Sequence, residues 1–484
     1  MKKPVRNVVL LLLACAAAWT FRPALAAEDD AAALEAGRTL TAQWLAGESA
    51  ALWERMGSQM RAALGSEEAL AQTGTDMLAQ LGKEESVLSE RISRQQGFTV
   101  YQRVGRWSRA PMPIVVTWAL GRDGMVEGFH VRPAPAENLG SAVPAGETPD
   151  GRLPPDEIVA RYLEEFVDQR RAAPGVVVGL LDQEGLRFVA HGDAGDGRAP
   201  DADTVFEAGS ITKGLTGLLL AQMAAAGDVR LDQPIGTLVP DGIELDPRVA
   251  AITLEELATH RSGLPRLASG AEMQARMSGP DPYAGSTPRE IFTDLARADP
   301  AVVASGRGRY AYSNLGSALL GQLLARAGGQ SYGTLLAERV FAPLGLAAPT
   351  LDPADVEGRR AAGHQGGERV PPWTLDAYAP AGGWQASARE ALALAQALLA
   401  AEPAWVPTAL RPRPPGEGSE KRVGLAWHHA DIADRAVTWH NGATAGSSSF
   451  LGLVPAEGIA IVVLANAGGG VADSLAGELL AYGR

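Results

Sequence analysis

Cysteine is nearly absent: the single thiol in 484 residues is Cys15, close to the N-terminus. This excludes a disulfide framework, thiolate metal ligation and thiol catalysis in the body of the chain, so stability must come from a buried core. Runs of Lys and Arg are also missing and the formal charge is −13. A surface built for nucleic acid or an anionic membrane is therefore excluded, because such surfaces need a concentrated basic face. The seven histidines (130, 191, 260, 364, 428, 429 and 440) contain no His-Glu-x-x-His or comparable spacing. Adjacent His428 and His429 on a strand would point to opposite faces, which makes a poor ligand pair. Neither a catalytic metal nor a cofactor is expected. No Gly-x-Ser-x-Gly elbow occurs, since Gly442-Ala443-Thr444-Ala445-Gly446 has threonine at its centre.

The chain does have the material for a large core, with 46% hydrophobic and 20% charged residues. Its length suits two domains. Lys2, Lys3 and Arg6 precede an apolar run from Val8 to Ala18, followed by Ala24-Leu25-Ala26, a small-x-small cleavage pattern. Residues 1–26 read as a secretory leader, because the run falls short of the ~20 apolar residues that cross a bilayer. The mature chain is then exported, periplasmic or secreted, with no integral membrane span. Cys15, after Leu12-Leu13-Ala14, resembles a bacterial lipoprotein box, and lipid attachment there is the second reading.

Residues 30–82 predict three helices, with Leu34, Leu40, Trp44 and Leu45, then Leu52, Trp53, Met56, Met60 and Leu64, at helical spacings. Strands follow at Phe98–Arg106, Ile114–Leu120 and Met125–Arg132, the last two joined by a turn at Arg122-Asp123-Gly124. Helices followed by a curved antiparallel sheet over residues 27–132 resemble the small α+β, cone-shaped nuclear-transport-factor-like domains. The helical spacing assigns the Trp and Met side chains to its core. Six prolines between Pro133 and Pro155 indicate a semi-rigid linker.

From residue 156 to 484 a second domain is expected. Asp156–Arg170 is helical, Gly175–Leu181 and Leu186–His191 form a hairpin, and a mainly helical middle follows. Arg435–Trp439, Ser447–Leu453 and Ile459–Leu464 return to strand character. Strands at both ends imply one antiparallel sheet flanked by helices, with an inserted helical lobe: an α+β fold. Residues 401–421, rich in Pro and charge, are expected to form a surface loop.

Lysine occurs only at positions 2, 3, 83, 213 and 421, against 38 arginines. Lys213 lies three residues after Ser210, where a loop enters the apolar run Leu215, Leu218, Leu219 and Met223. An i, i+3 pair shares one helix face, so the amine reaches the hydroxyl. A desolvated lysine loses its proton and can accept one from serine, which a guanidinium cannot. Taken alone, the pair also fits a helix-capping serine beside a solvated lysine. Two further segments bear on it. Tyr310-Ala311-Tyr312-Ser313-Asn314 offers a phenol and an amide before a helical run, although Asn314 alone also suits an N-cap. Trp439-His440-Asn441-Gly442-Ala443 ends a strand, where a glycine lets an extended substrate lie alongside and the next amide helps bind an oxyanion.

In order, Ser210-x-x-Lys213, Tyr312-x-Asn314 and His440-x-Gly442 resemble the three signatures of the serine β-lactamase and penicillin-binding-protein superfamily. The resemblance is to the branch of class C β-lactamases, D-alanyl-D-alanine carboxypeptidases and related esterases. Leu257-Ala258-Thr259-His260-Arg261-Ser262-Gly263-Leu264-Pro265 and Ala381-Gly382-Gly383-Trp384 are similar to two further stretches of that branch. The resemblance implies Ser210 as acylated nucleophile, with Lys213 and Tyr312 as the proton-transfer pair. Asn314 would contact substrate and lysine, and the amides of Ser210 and Ala443 would bind the oxyanion. The substrate would be a small molecule or peptide, and the oligomeric state is left open. His440 stands where many β-lactamases have lysine, and Asn441 replaces a hydroxyl residue. Both changes favour a peptidase or esterase over a β-lactamase. His260 reads as a structural histidine. The alternative is a catalytically silent protein that holds a cell-wall fragment on the same fold.

Overall fold

The computed structural model describes residues 27–95, 98–110, 113–121, 123–133, 152–195, 197–416, 418–419 and 421–482. The leader with Cys15, Arg122 of the 122–124 turn and linker residues 134–151 lie outside the described residues. The chain divides into two compact units between Ala134 and Pro135.

The first unit opens with four helices, α1 (Ala27–Ala46), α2 (Ser49–Arg55), α3 (Ser58–Leu64) and α4 (Glu67–Leu81). The pattern predicted three; the extra break arises because Met56 and Gly57 are extended between α2 and α3. Next comes an antiparallel meander in the order β1 (Glu84–Gln95), β2 (Phe98–Trp107), β3 (Ile114–Leu120) and β4 (Val126–Pro133). Leu40, Trp44, Leu52 and Met56 pack with Tyr101, Trp107 and Trp118 to form its core. Tryptophan here is packing material, as the helical spacing requires.

The second unit begins with α5 (Asp156–Glu164) and the hairpin β5 (Gly175–Asp182) and β6 (Gly185–Gly192). Short β7 (Val205–Glu207) leads through Ser210 into α6 (Ile211–Ala226). A lobe rich in helices follows, including α7 (Leu254–Ala258) and α8 (Asn314–Gly328). Then β8 (Gln385–Ser387) pairs with β7 and leads into α9 (Ala388–Leu399). The chain ends in β9 (Arg422–Val423), β10 (His428–Ile432), β11 (Arg435–Ala443), β12 (Ser448–Val454), β13 (Ile459–Ala465) and α10 (Val471–Leu480).

These strands form one seven-stranded antiparallel sheet in the order β9-β10-β11-β12-β13-β5-β6. N- and C-terminal strands meet where Val177 faces Leu464, so the expected sheet from both ends, with an inserted helical lobe, is what forms. Every residue of β12 and β13 is buried, which is why both read as continuous apolar runs without alternation. α6 sits inside the core and is covered on all sides: Ile211 through Ala221 are buried, Lys213 among them. Residues 401–421 depart from the expected surface loop. They contain a helical segment, Trp405–Leu410, and a buried Arg413 whose guanidinium donates to Glu255 Oε1 at 2.9 Å and to the Thr408 and Arg411 carbonyls. The paired arginine lets this charged, proline-rich segment pack inward.

Candidate active site

Ser210 occupies the N-cap position of α6, but its hydroxyl caps no helix amide. It faces Lys213 one turn on, with Nζ 2.8 Å from Ser210 Oγ. Lys213 is 1% exposed and Nζ also donates to the Ala381 carbonyl at 2.6 Å. Burial drives its pKa well below the ordinary lysine range, and the nearby charge of Arg266 adds to the effect. A neutral amine has a free lone pair. With one N–H committed to Ala381, it is free to accept the Ser210 proton. The capping and solvated-lysine alternatives are thus both absent from the structure.

Tyr312 completes the group. Its ring centroid lies 5.0 Å from Lys213 Nζ, and the Ser210 hydroxyl lies near enough to influence its phenol. Burial raises the phenol pKa to about 12, while the Ser210 hydroxyl and Arg266 pull the other way. The phenol therefore stays protonated at neutral pH. His260 holds this segment in place: its ring packs 4.4 Å from that of Tyr312, its Nδ1 accepts from the Ser313 amide at 3.3 Å, and its carbonyl accepts from the Ala311 amide. Its φ of +57° marks a constrained corner. Burial keeps the His260 imidazole neutral.

Asn314 is not the helix cap. Ser313 is, its Oγ accepting from the Gly316 amide at 2.8 Å. The Asn314 amide donates to the Tyr283 hydroxyl at 2.9 Å, and its Oδ1 is buried without a partner. Among the described residues it makes no hydrogen bond to Lys213, contrary to the expectation from resemblance. It lines the site with one unused acceptor.

The third segment lies in β11, which runs on to Ala443 rather than ending at Trp439. Its pairing with β10 stops at Trp439, so one edge of 440–443 is open while the other pairs with β12. Gly442 is required for a reason other than the expected one. A Cβ there would lie 2.0 Å from the Ala208 carbonyl oxygen, so glycine lets the loop before Ser210 press against the strand. Gly209 meets it from the other side with φ +52°, and a Cβ on it would lie 2.9 Å from the Ala443 nitrogen. The Ala443 amide is thereby brought against the loop that carries Ser210. The Ser210 amide itself donates to no backbone carbonyl among the described residues. His440 is fully buried and held neutral by desolvation; its Nδ1 contacts the Asn441 carbonyl oxygen at 2.6 Å, and its Nε2 has no partner. The Asn441 side chain turns away to Asp473 Oδ2 at 3.0 Å. His428 and His429 face opposite sides, His428 toward Tyr312 and His440, His429 toward the Leu410 carbonyl.

Several contributors escape the residue pattern. Glu207 is 3% exposed and accepts from the Trp373 amide at 2.8 Å and the Thr444 hydroxyl at 3.1 Å, tying β7 to the end of β11. Burial raises its carboxyl pKa to about 7. The Ala381 carbonyl holds the lysine, Tyr283 holds Asn314, and the exposed Arg266 guanidinium stands 5.2 Å from the Tyr312 ring centroid. Glu207 lies within the Ser210 motif stretch and was open to notice. Nothing in residue type distinguishes Arg266 from the other arginines. Among the described residues, no group of three or more His, Cys, Asp or Glu is placed to hold a metal ion.

Residues 159–482 match the family model described as Beta-lactamase. D-alanyl-D-alanine-carboxypeptidase/endopeptidase AmpH of Escherichia coli (strain K12) is 30% identical over 207 residues, 42% of this chain and 52% of that protein. The chain thus spans about half the length of that relative. Penicillin-binding protein 4 of Amycolatopsis lactamdurans is 28% identical over 343 residues, 63% of this chain and 84% of that protein. Among solved structures, the class C beta lactamase from Rhodobacter sphaeroides superposes with TM-score 0.57 at 23% identity, covering 66% of this chain and 98% of that one. The family match takes in all three motif segments and most of the chain, and the chain belongs to the beta-lactamase family.

Proposed function

We propose that this protein is an exported serine hydrolase that cleaves an amide or ester through an acyl-enzyme on Ser210. The observation that carries the reading is the buried Lys213 amine 2.8 Å from Ser210 Oγ, its pKa driven well below the ordinary lysine range by desolvation. In the acylation step Ser210 Oγ attacks the substrate carbonyl carbon and its proton passes to Lys213. The carbonyl oxygen becomes an oxyanion, received by the amides of Ser210 and Ala443 at the positive end of α6. The Tyr312 phenol, whose ring centroid lies 5.0 Å from Lys213 Nζ, passes a proton to the departing amine or alkoxide and recovers it through Lys213. Water then attacks the ester on Ser210, giving up a proton to the same pair and releasing the acid. Asn314, with its unused Oδ1, accepts from a substrate N–H.

The leader-like residues 1–26 support export. Carboxypeptidase and penicillin-binding relatives support D-alanyl peptides as the substrate class, with small esters next. The neutral His440 and the Asn441 side chain bound to Asp473 count against efficient β-lactam hydrolysis, because the strand offers neither a cation nor a free hydroxyl. Turnover of a D-Ala-D-Ala peptide, a short-chain nitrophenyl ester and nitrocefin, measured side by side, tests the reading. Hydrolysis of peptide or ester, abolished in Ser210→Ala, is expected. Failure of the native protein on all three would overturn it.

A further inference from the structure

We propose that Thr216, backed by the Tyr332 hydroxyl, is a positioning residue for the reaction: it fixes the carbonyl dock that aims the Lys213 amine at Ser210. This rests on the acyl-enzyme reading above. The dock is the segment 380–384, whose Ala381 carbonyl accepts from Lys213 Nζ at 2.6 Å. α6 fastens this segment at both ends with two threonines four residues apart, hence on one helix face. At the far end, Thr212 Oγ1 accepts from the Trp384 amide at 3.0 Å and donates to the Gly209 carbonyl at 2.7 Å, in the loop that carries Ser210. At the near end, Thr216 Oγ1 lies 2.7 Å from the Pro380 carbonyl oxygen and 2.7 Å from the Tyr332 hydroxyl. Thr216 has one proton to give, and the Thr212 carbonyl is a longer alternative at 3.2 Å. A carbonyl only accepts, so the proton goes to Pro380 and the Tyr332 hydroxyl donates to Thr216 in turn. Burial raises the Tyr332 pKa and keeps the phenol a donor, as that order requires. α8 closes the other side: a Cβ on Gly321 would lie 2.2 Å from the Pro380 ring, so glycine lets the helix press against it. Thr212, Thr216 and Tyr332 are all buried, and no water replaces a lost partner there. Thr216 and Tyr332 act on Ser210 through Ala381 and Lys213.

The test compares the full chain with Thr216→Val, Thr216→Ser, Tyr332→Phe and Leu398→Ala, the last a control that loosens the core within α9. Single-turnover reaction with a nitrophenyl ester gives the acylation rate constant at saturation and the half-saturating concentration. Valine nearly keeps the shape of threonine without the hydroxyl; a dock displaced by about 1 Å is expected to lower the saturating rate about 10- to 100-fold and leave the half-saturating concentration unchanged. Thr216→Ser restores most of the rate. Tyr332→Phe leaves the bond from Thr216 to Pro380 in place and loses less than Thr216→Val. An unchanged saturating rate in Thr216→Val, a loss that Thr216→Ser does not restore, or an equal loss in Leu398→Ala overturns the assignment. Should Thr216→Val fail to fold, Tyr332→Phe decides: a lowered saturating rate supports the assignment and a native rate overturns it. Carbon-13 at lysine Cε gives a readout without turnover, since the chain has five lysines and the Lys213 signal is identified by its loss in Lys213→Arg. In the native protein this amine titrates well below the ordinary lysine range; in Thr216→Val it moves back toward that range, because a loosened dock admits water to the amine. The groups whose charge couples to it, Arg266, His260, His428 and His440, are the same in every variant. If the native protein acylates nothing and Thr216→Val still moves this titration, the acyl-enzyme reading fails and the dock stands. Native acylation with neither rate nor titration altered in Thr216→Val does the reverse.

Discussion

Replacing Glu207 by glutamine is expected to make the protein more stable at neutral and alkaline pH and to leave its acid stability nearly unchanged. The carboxyl is buried where water cannot solvate a charge, and its pKa rises from 4.5 to about 7 despite hydrogen bonds from the Trp373 amide and the Thr444 hydroxyl. Between those values the folded protein keeps a proton that the unfolded chain has released, so stability falls as pH rises through that window. At about 1.4 kcal/mol per unit, the ionised carboxylate costs on the order of 3 kcal/mol above pH 7 relative to an unshifted group. Glutamine is neutral throughout, its oxygen can accept from Trp373, and its amide can donate to Thr444. Urea unfolding of both proteins from about pH 4 to about pH 8 measures the difference. The advantage of glutamine should grow by about 3 kcal/mol across the window and then level off. A difference that is flat with pH, or that grows in the opposite direction, would refute the account of this carboxyl.

Lys213→Arg replaces a titratable amine with a guanidinium that stays protonated, and should lose nearly all acylation in single-turnover assays; near-native rates would exclude the amine as base. Because only neutral Lys213 accepts a proton, native acylation should rise with pH through the lysine ionisation, which lies well below the usual lysine range. Tyr312→Phe should slow acylation on the order of 100-fold or more, and unchanged rates would remove the phenol from the reaction. Gly442→Ala brings a methyl to 2.0 Å from the Ala208 oxygen and should cost about 1–3 kcal/mol in unfolding experiments, with reduced activity. Full stability would mean that the loop carrying Ser210 yields freely.

How far the sequence revealed this arrangement follows from how local each feature is. Ser210 and Lys213 are one helical turn apart, so their contact follows from helix geometry alone. The sheet joining both ends of the second unit was legible because β5, β12 and β13 are apolar runs too short for helices. Tyr312 and the 440–443 edge could be placed only through the order of three motifs, since their meeting depends on long-range packing. Gly442 was singled out for a different reason from the one that holds it: the steric demand comes from Ala208, more than 200 positions earlier. The burial of Glu207 depends on Trp373 and Thr444, 166 and 237 positions away in the chain. Arg413 reads as solvated until Glu255 and two carbonyls are seen to receive it. Asn314 went to Tyr283 rather than to the lysine, a choice between two nearby partners that residue type does not encode.

The account stands on Ser210 as the group that the neutral Lys213 activates. Treatment of the native protein with a fluorophosphonate, followed by peptide mass mapping, tests this most directly. A single adduct on Ser210, formed faster as pH rises and absent in Lys213→Arg, is the expected result. Labelling on another residue, or none at all with the native protein, would contradict it.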